Sequence, residues 1–252
     1  MRSDDVPVSK SRVAVLSVLV LVAFGVLIAL GTWQLERKSW KEGLIDTIAQ
    51  RLAAPASALP PRQNWNSLDA ADAEFRRVGF RGTFAYKEEA LVYTNGSALR
   101  ADVSGPGYWV LTPVRLPDGS SVVVNRGFVP EGRQARTSRA AGELAGPTEI
   151  IGIMRWPDVG NWFTPPADPA RNLWFARDLP AIVAVKKWGA VAPFYVEQEA
   201  PSPPGGLPQV GALRPNLPNS HLQYALTWYG LAAVLIGVFA AFARGEWMRR
   251  VN

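Results

Sequence analysis

The sequence predicts a membrane protein of the α+β class, in which two transmembrane helices flank a periplasmic domain built on an antiparallel β-sheet or barrel with a few helices. Three observations carry this. Val13 to Leu35 and Leu222 to Ala243 each contain no charged residue, and each exceeds the ~20 residues that a helix needs to cross a bilayer core. Between them, roughly 185 residues turn to two-residue alternation punctuated by Gly, Pro and Asp, the pattern of strands joined by turns. Lys and Arg gather outside the two apolar runs, which sets their orientation.

Residues 1–12 form a tail carrying Arg2, Lys10 and Arg12. The first span, 13–35, closes with "GTWQLERK", which has no small-residue cleavage site and so reads as a retained anchor rather than a secretion signal. The domain, 36–220, opens with "KSWKEGLIDTIAQRLAAP", where Trp40, Leu44, Ile48 and Leu52 repeat at helical spacing until Pro55. That predicts a helix continuing out of the span. "FRRVGFRGTFAY" alternates with Val78, Phe80 and Phe84 on one face, and "EALVYTN", "GYWVLTPVRL", "VVVNRGFV", "TEIIGIMRW" and "APFYVEQEA" read as further strands. Pro-Asp-Gly in "LPDGSS" predicts a hairpin turn. Asp178 caps a short helix in "LPAIVAVKKWG" that Gly189 stops. Pro201 to Pro218 reads as a semi-extended linker feeding the second span, 221–243. The tail 244–252 carries Arg244, Arg249 and Arg250. Basic residues on both tails assign both termini to the cytoplasm and the domain to the periplasm of an inner membrane.

The net charge of +6 does not point to nucleic acid. Six of the 27 Lys and Arg and three of the 21 Asp and Glu lie in the tails, which leaves the domain nearly balanced. With no cysteine there is no disulfide or thiolate metal site. One histidine and no G-x-S-x-G argue against a Ser-His-Asp triad, and Met1, Met154 and Met248 are too scattered for a soft-metal cluster. The chain is therefore not expected to be an enzyme.

The single histidine, His221, stands at the lip of the second span, and two readings of it are open. Ser220 with Gln223 makes an S-x-x-Q capping box, so the imidazole is a first-turn residue at the wet interface. Alternatively, the positive end of a helix disfavours a further positive charge, and a neutral imidazole offers a lone pair to a metal. Tyr224 and Trp228 follow at i+3 and i+7, an aromatic stripe that suits either an interfacial belt or packing against a haem ligated by His221. With both tails on one side, Gly31 to Arg37 lies level with Asn219 to Trp228. Trp33, Gln34 and Arg37 then face His221, Tyr224 and Trp228. Arg37 suits the carboxylates of an amphiphilic cofactor, or it snorkels to the water line. Small residues at four-residue spacing, Gly25 and Ala29 against Ala233, Gly237 and Ala241, favour close helix approach. Arg126, Arg133, Arg136 and Arg139 form either a solvated loop or a docking surface for an acidic partner region.

Read together and in order, "GTWQLERK", "FRRVGFRGTF", "GPGYWVLTPV", "VVVNRGFVP", "LWFARDL" and "RPNLPNSHLQYALTWYGLA" resemble the surfeit locus protein one family, also called the Shy family. The resemblance covers essentially the whole chain. It implies a chaperone role in cytochrome c oxidase assembly, with haem a as cofactor, oxidase subunit one and the haem a synthase as partners, and membrane lipid around the spans. It also implies that the histidine at position 221 ligates the haem iron. Trp33, Arg37, Tyr224 and Trp228 enter from topology, not from the resemblance. A membrane scaffold that grips an oxidase subunit without touching cofactor is the competing expectation.

Overall fold

A computed structural model describes residues 9–215 and 217–251, without the Arg250 side chain. Arg2 and residues 1–8 of the predicted N-terminal tail, Asn216 of the predicted linker and Asn252 lie outside the described residues. The chain divides into two units, Met1–Asp46 with Pro218–Asn252, and Thr47–Leu217.

The first unit is a helix pair. Helix α1 runs without a break over Lys10–Ala53, so the apolar run and the amphipathic stretch after it share one axis, and Pro55 lies just past its end as the spacing predicts. The second helix of this unit covers His221–Val251. Both are long and apolar enough to cross a bilayer by length and composition. The small residues at their contact are not the predicted ones. Gly31, Ala225 and Ala232 are buried, whereas Ala29, Ala233 and Ala241 are exposed and a Cβ added at Gly25 or Gly237 would meet nothing. The four-residue spacing was present, but it lies on a different helix face.

The second unit is a β domain. Its elements in order are β1 (Ser57–Ala58), α2 (Ala70–Ala73), β2 (Arg77–Phe84), β3 (Ala90–Asn95), β4 (Pro106–Arg115), β5 (Ser121–Pro130), β6 (Thr148–Arg155), β7 (Leu173–Trp174), α3 (Leu179–Lys186) and β8 (Val191–Ala200), which leaves His221–Val251 as α4. The sheet order is β1-β2-β6-β8-β5-β4-β3-β7, and a short β2–β4 pairing joins β2, β6, β8, β5 and β4 into a ring. This is a five-stranded, partly open Greek-key barrel.

The sequence reading expected an antiparallel sheet or barrel, and the structure corrects this to a mixed one. β5 pairs parallel with β8, and β1–β2 and β3–β7 are also parallel. Alternation fixes which face a residue occupies but not the direction of its neighbour. Here β8 reaches β5 only after the crossover that contains α3, the kind of connection a parallel pair requires.

Two cores pack on opposite faces of the sheet. Val78, Phe84, Val114, Val122, Val124, Ile150, Met154, Phe194 and Val196 fill one. Trp109, Leu111, Val123, Trp174, Ile182, Trp188 and Tyr195 fill the other. The run Val122–Val124 is apolar without a break because β5 is buried on both faces. The Asp-Gly turn forms as expected, with Gly119 at φ 81° and Asp118 accepting from Ser120 N at 2.9 Å. Helix α3 is capped by Asp178, whose side chain accepts from Ala181 N. It ends at Lys186, before the expected Gly189, because Lys187 takes the left-handed conformation.

Two further regions add detail to the expectations. Residues 201–215, within the expected semi-extended linker, are docked on the domain. Gln209 and Phe128 exchange both backbone hydrogen bonds, at 3.1 and 2.7 Å, Leu213 is buried, and Arg100, itself buried, donates to Gly211 O at 3.3 Å while forking onto Asp102. Arg126, which lies within β5, and Arg133, Arg136 and Arg139 of the β5–β6 connection do not form one surface. Arg126 and Arg139 are buried. Arg139 donates to both carboxylate oxygens of Glu89. Arg126 lies 3.8 Å from the same carboxylate, donates to Gly142 O at 2.8 Å and stacks 4.5 Å over Tyr86. Burial pulls the Arg126 guanidinium below its ordinary range, with Tyr86 and Glu89 opposing. Arg133 and Arg136 are engaged locally, with Ser138 O and Glu143.

Candidate functional site

The helix pair brings His221 to Gln34. Antiparallel packing carries the end of the α1 apolar run alongside the start of α4, and three contacts record the register. Lys41 donates to Pro218 O, His221 Nδ1 lies 2.7 Å from Gln34 Oε1, and Thr32 Oγ1 lies 3.2 Å from Tyr229 Oη. Gly31 is small because the Tyr229 ring occupies the space beside it: a Cβ there would sit 2.6 Å from the ring.

α4 begins at His221 as the sequence reading predicts, but the capping box is not closed. Tyr224 N donates to Ser220 O at 3.3 Å, and among the described residues neither Ser220 Oγ nor the Gln223 side chain makes the reciprocal cap bonds. The half-buried imidazole is held across the helix pair instead, by a side chain of α1.

The other predicted site residues are arranged along one side of the pair. His221, Ala225, Trp228 and Ala232 share the inward strip of α4, and Gly31, Gln34 and Lys38 the inward strip of α1. Trp33 and Tyr224 are each 54% exposed, and the Arg37 guanidinium lies 3.9 Å over the Trp40 ring on its own helix. Trp228 is half-buried, and its Nε1 has no hydrogen-bond partner among the described residues. No hydrogen bond or ring contact joins Trp33, Arg37, Tyr224 or Trp228 to His221 among the described residues.

Helical spacing does relate them to a groove. An open apolar groove of about 610 Å³ runs between the helices, lined by Ala23, Val26 and Leu27 of α1 and by Leu231, Val234, Leu235 and Val238 of α4. Tyr224, Trp228, Leu231, Leu235 and Val238 recur at i, i+4, i+7, i+11 and i+14, and Val26, Trp33 and Arg37 at i, i+7 and i+11. Each set falls on one strip of its helix. The aromatic residues and Arg37 therefore continue the side on which the groove lies, toward the level of His221.

The donor set constrains what could be held. No cluster of three or more His, Asp or Glu side chains suited to a metal ion occurs among the described residues, and one imidazole is too few for a bare zinc or copper ion. A macrocycle that brings its own four nitrogen donors asks the protein for one axial ligand. His221 offers one: its Nδ1 is engaged and its Nε2 has no partner among the described residues. Sequence reasoning placed Gln34 at the right level but missed its pairing with His221 and the Gly31–Tyr229 contact. Only burial in the structure, with Gly31, Gln34 and Lys38 inward and Trp33 exposed, separates Gln34 from Trp33.

Comparison with known proteins concerns the chain as a whole. Residues 21–233 match the profile of the SURF1 family, a span reaching from inside α1 to inside α4. A SURF1-like protein of Monosiga brevicollis is 36% identical over 238 residues, covering 92% of this chain and 87% of its own length. Surfeit locus protein 1 of Homo sapiens is 32% identical over 243 residues, covering 92% and 77%, and that of Xenopus tropicalis 33% identical over 234 residues, covering 88% and 74%.

Proposed function

The chain belongs to the SURF1 family, generally known as cytochrome c oxidase assembly factors, and from that premise we propose that it is a non-catalytic membrane chaperone that holds haem a at His221 and aids its delivery to oxidase subunit one. The observation that carries this reading is His221 itself, the only imidazole of the chain, half-buried between two apolar helices, with one ring nitrogen bonded by Gln34 and the other without a partner among the described residues.

The residues fit the group. His221 would supply the axial nitrogen, Tyr224, Trp228 and Trp33 flat apolar surface, and Arg37 a forked donor for the cofactor's carboxylates once it leaves Trp40. Haem a, when bound, supplies the redox iron that the recipient oxidase needs. This chain's own residues bind and orient, and the apolar groove keeps water from that side. Exposed apolar side chains such as Val15, Val18, Leu21, Leu226 and Val234 support placing both helices in lipid. The basic tails support cytoplasmic termini, a periplasmic domain and an inner-membrane location. Oxidase subunit one and the haem a synthase are the partners this role requires.

The test uses the full chain purified in mild detergent from cells that make haem a. It should carry a haem absorption spectrum, and His221→Ala should lose that spectrum with its circular dichroism unchanged. Full haem loading of the variant would remove His221 from the ligand role.

A further inference from the structure

We infer that Gln34 is a positioning residue that fixes the proton of His221 on Nδ1 and so keeps Nε2 as a bare donor. The inference deepens the haem-ligand reading and rests on it for its purpose, but its physical content does not depend on haem.

The contact is short, at 2.7 Å, and the atom facing the ring is the amide oxygen. An amide oxygen only accepts, so the hydrogen must come from Nδ1. A neutral imidazole carries one N–H, and with it on Nδ1 the lone pair is on Nε2. That is the minor arrangement for a free imidazole in water, where the proton favours Nε2, so a specific partner has to impose it. The reverse amide orientation would aim the NH2 group at Nδ1, drive the proton to Nε2 and block that nitrogen as a ligand.

The side chain that presents this oxygen is on the inward strip of α1, between Gly31 and Lys38. A ligand histidine commonly donates its second nitrogen's hydrogen to an acceptor that sets its tautomer and ring orientation, and loss of that acceptor typically weakens metal affinity by ~10- to 100-fold. Gln34 occupies this position from the neighbouring helix, so assembling the helix pair also prepares the donor.

The chain has one histidine, so histidine-selective 13C,15N labelling gives one ring and no overlap. The full chain in lipid bilayers, free of haem, should show the neutral ring protonated at Nδ1 and bare at Nε2 in solid-state 13C,15N correlation spectra. Gln34→Leu should move the proton to Nε2. Gln34→Glu, whose carboxylate still accepts, should keep it on Nδ1. A wild-type ring protonated at Nε2, or a Gln34→Leu ring still protonated at Nδ1, would overturn the inference.

Titration with haem gives the separate arm. Gln34→Leu should bind roughly 10- to 100-fold more weakly than wild type, with Gln34→Glu restored. Equal haem affinity in wild type and His221→Ala would sink the ligand reading and leave the tautomer result standing. Equal affinity in wild type and Gln34→Leu, with His221→Ala impaired, would sink the positioning role.

Discussion

The carboxylate of Glu89 in the β domain and the imidazole of His221 in the helix pair are both polar groups held in apolar surroundings, and they are treated in opposite ways. Both oxygens of Glu89 are taken by Arg139, and Arg126 crowds the same carboxylate. His221 has one nitrogen engaged by Gln34 and one without a partner among the described residues. A buried group that serves only the fold is surrounded until little of its capacity is left, because an unmet buried charge costs several kcal/mol. A group with spare capacity at a half-buried position is the better candidate for a ligand-binding role.

The largest expected effect tests the first half of this contrast. Glu89→Gln leaves two buried guanidinium groups without their counter-charge and should destabilise the domain by ~3–5 kcal/mol, read by equilibrium denaturant unfolding of the full chain in detergent. A loss below about 1 kcal/mol would mean that the cluster is effectively solvated, and the contrast would collapse.

A smaller effect tests the second half. Gly31→Val pushes a side chain into the Tyr229 ring and should cost ~1–3 kcal/mol by overpacking, together with loss of the His221–Gln34 signature. Gly25→Val, at an open position on the same helix, should change stability by no more than ~0.5 kcal/mol. Equal costs at the two sites would show that α1 and α4 do not pack through Gly31.

The smallest effect concerns an ion pair between these extremes. Arg100 is 3% exposed but its partner Asp102 is 48% exposed. The hydrogen bonds from Arg100 hold the Asp102 carboxyl below its ordinary value of 3.8, with burial opposing. A depressed carboxyl contributes stability above its unfolded value and loses it as pH falls through the folded one. Asp102→Asn should therefore be less stable than wild type near neutrality, by ~1 kcal/mol or less because the pair is screened. The two unfolding curves should converge once the pH has fallen below the folded value of the Asp102 carboxyl. A gap that persists in strong acid would mean that Asp102 acts through something other than its charge.

Much of the β domain was legible because strand faces follow from alternation. Val78 and Phe84 face inward, and Phe80 packs against the same core. The parallel β5–β8 pairing was not legible, since the direction of a neighbouring strand is set by a crossover rather than by side-chain period. Arg126 and Arg139 read as a surface cluster because their counter-charge, Glu89, comes from the far side of two strands in sequence. At the candidate site, the level of His221 with Trp33, Gln34 and Arg37 followed from topology. Which of those residues faces inward did not, because one residue of helix turns a side chain by about 100° and the apolar run around them is featureless. The docking of the linker was not legible, because its proline content speaks to stiffness, not to the backbone bonds that Phe128 offers it or the guanidinium of Arg100.

The parallel β5–β8 pair also sets a timetable. Ser121 pairs with Val191, so β5 leaves the ribosome several seconds before its neighbour at ~5–20 residues per second. Only the stretch 201–220 separates β8 from α4. During synthesis, α1 is available long before the barrel can close, since closure has to wait for β8, some 20 residues ahead of the second apolar helix. Nascent chains halted between β6 and β8 would hold an open sheet whose β5 edge is bare, the point in its life at which this protein is most exposed to mispairing.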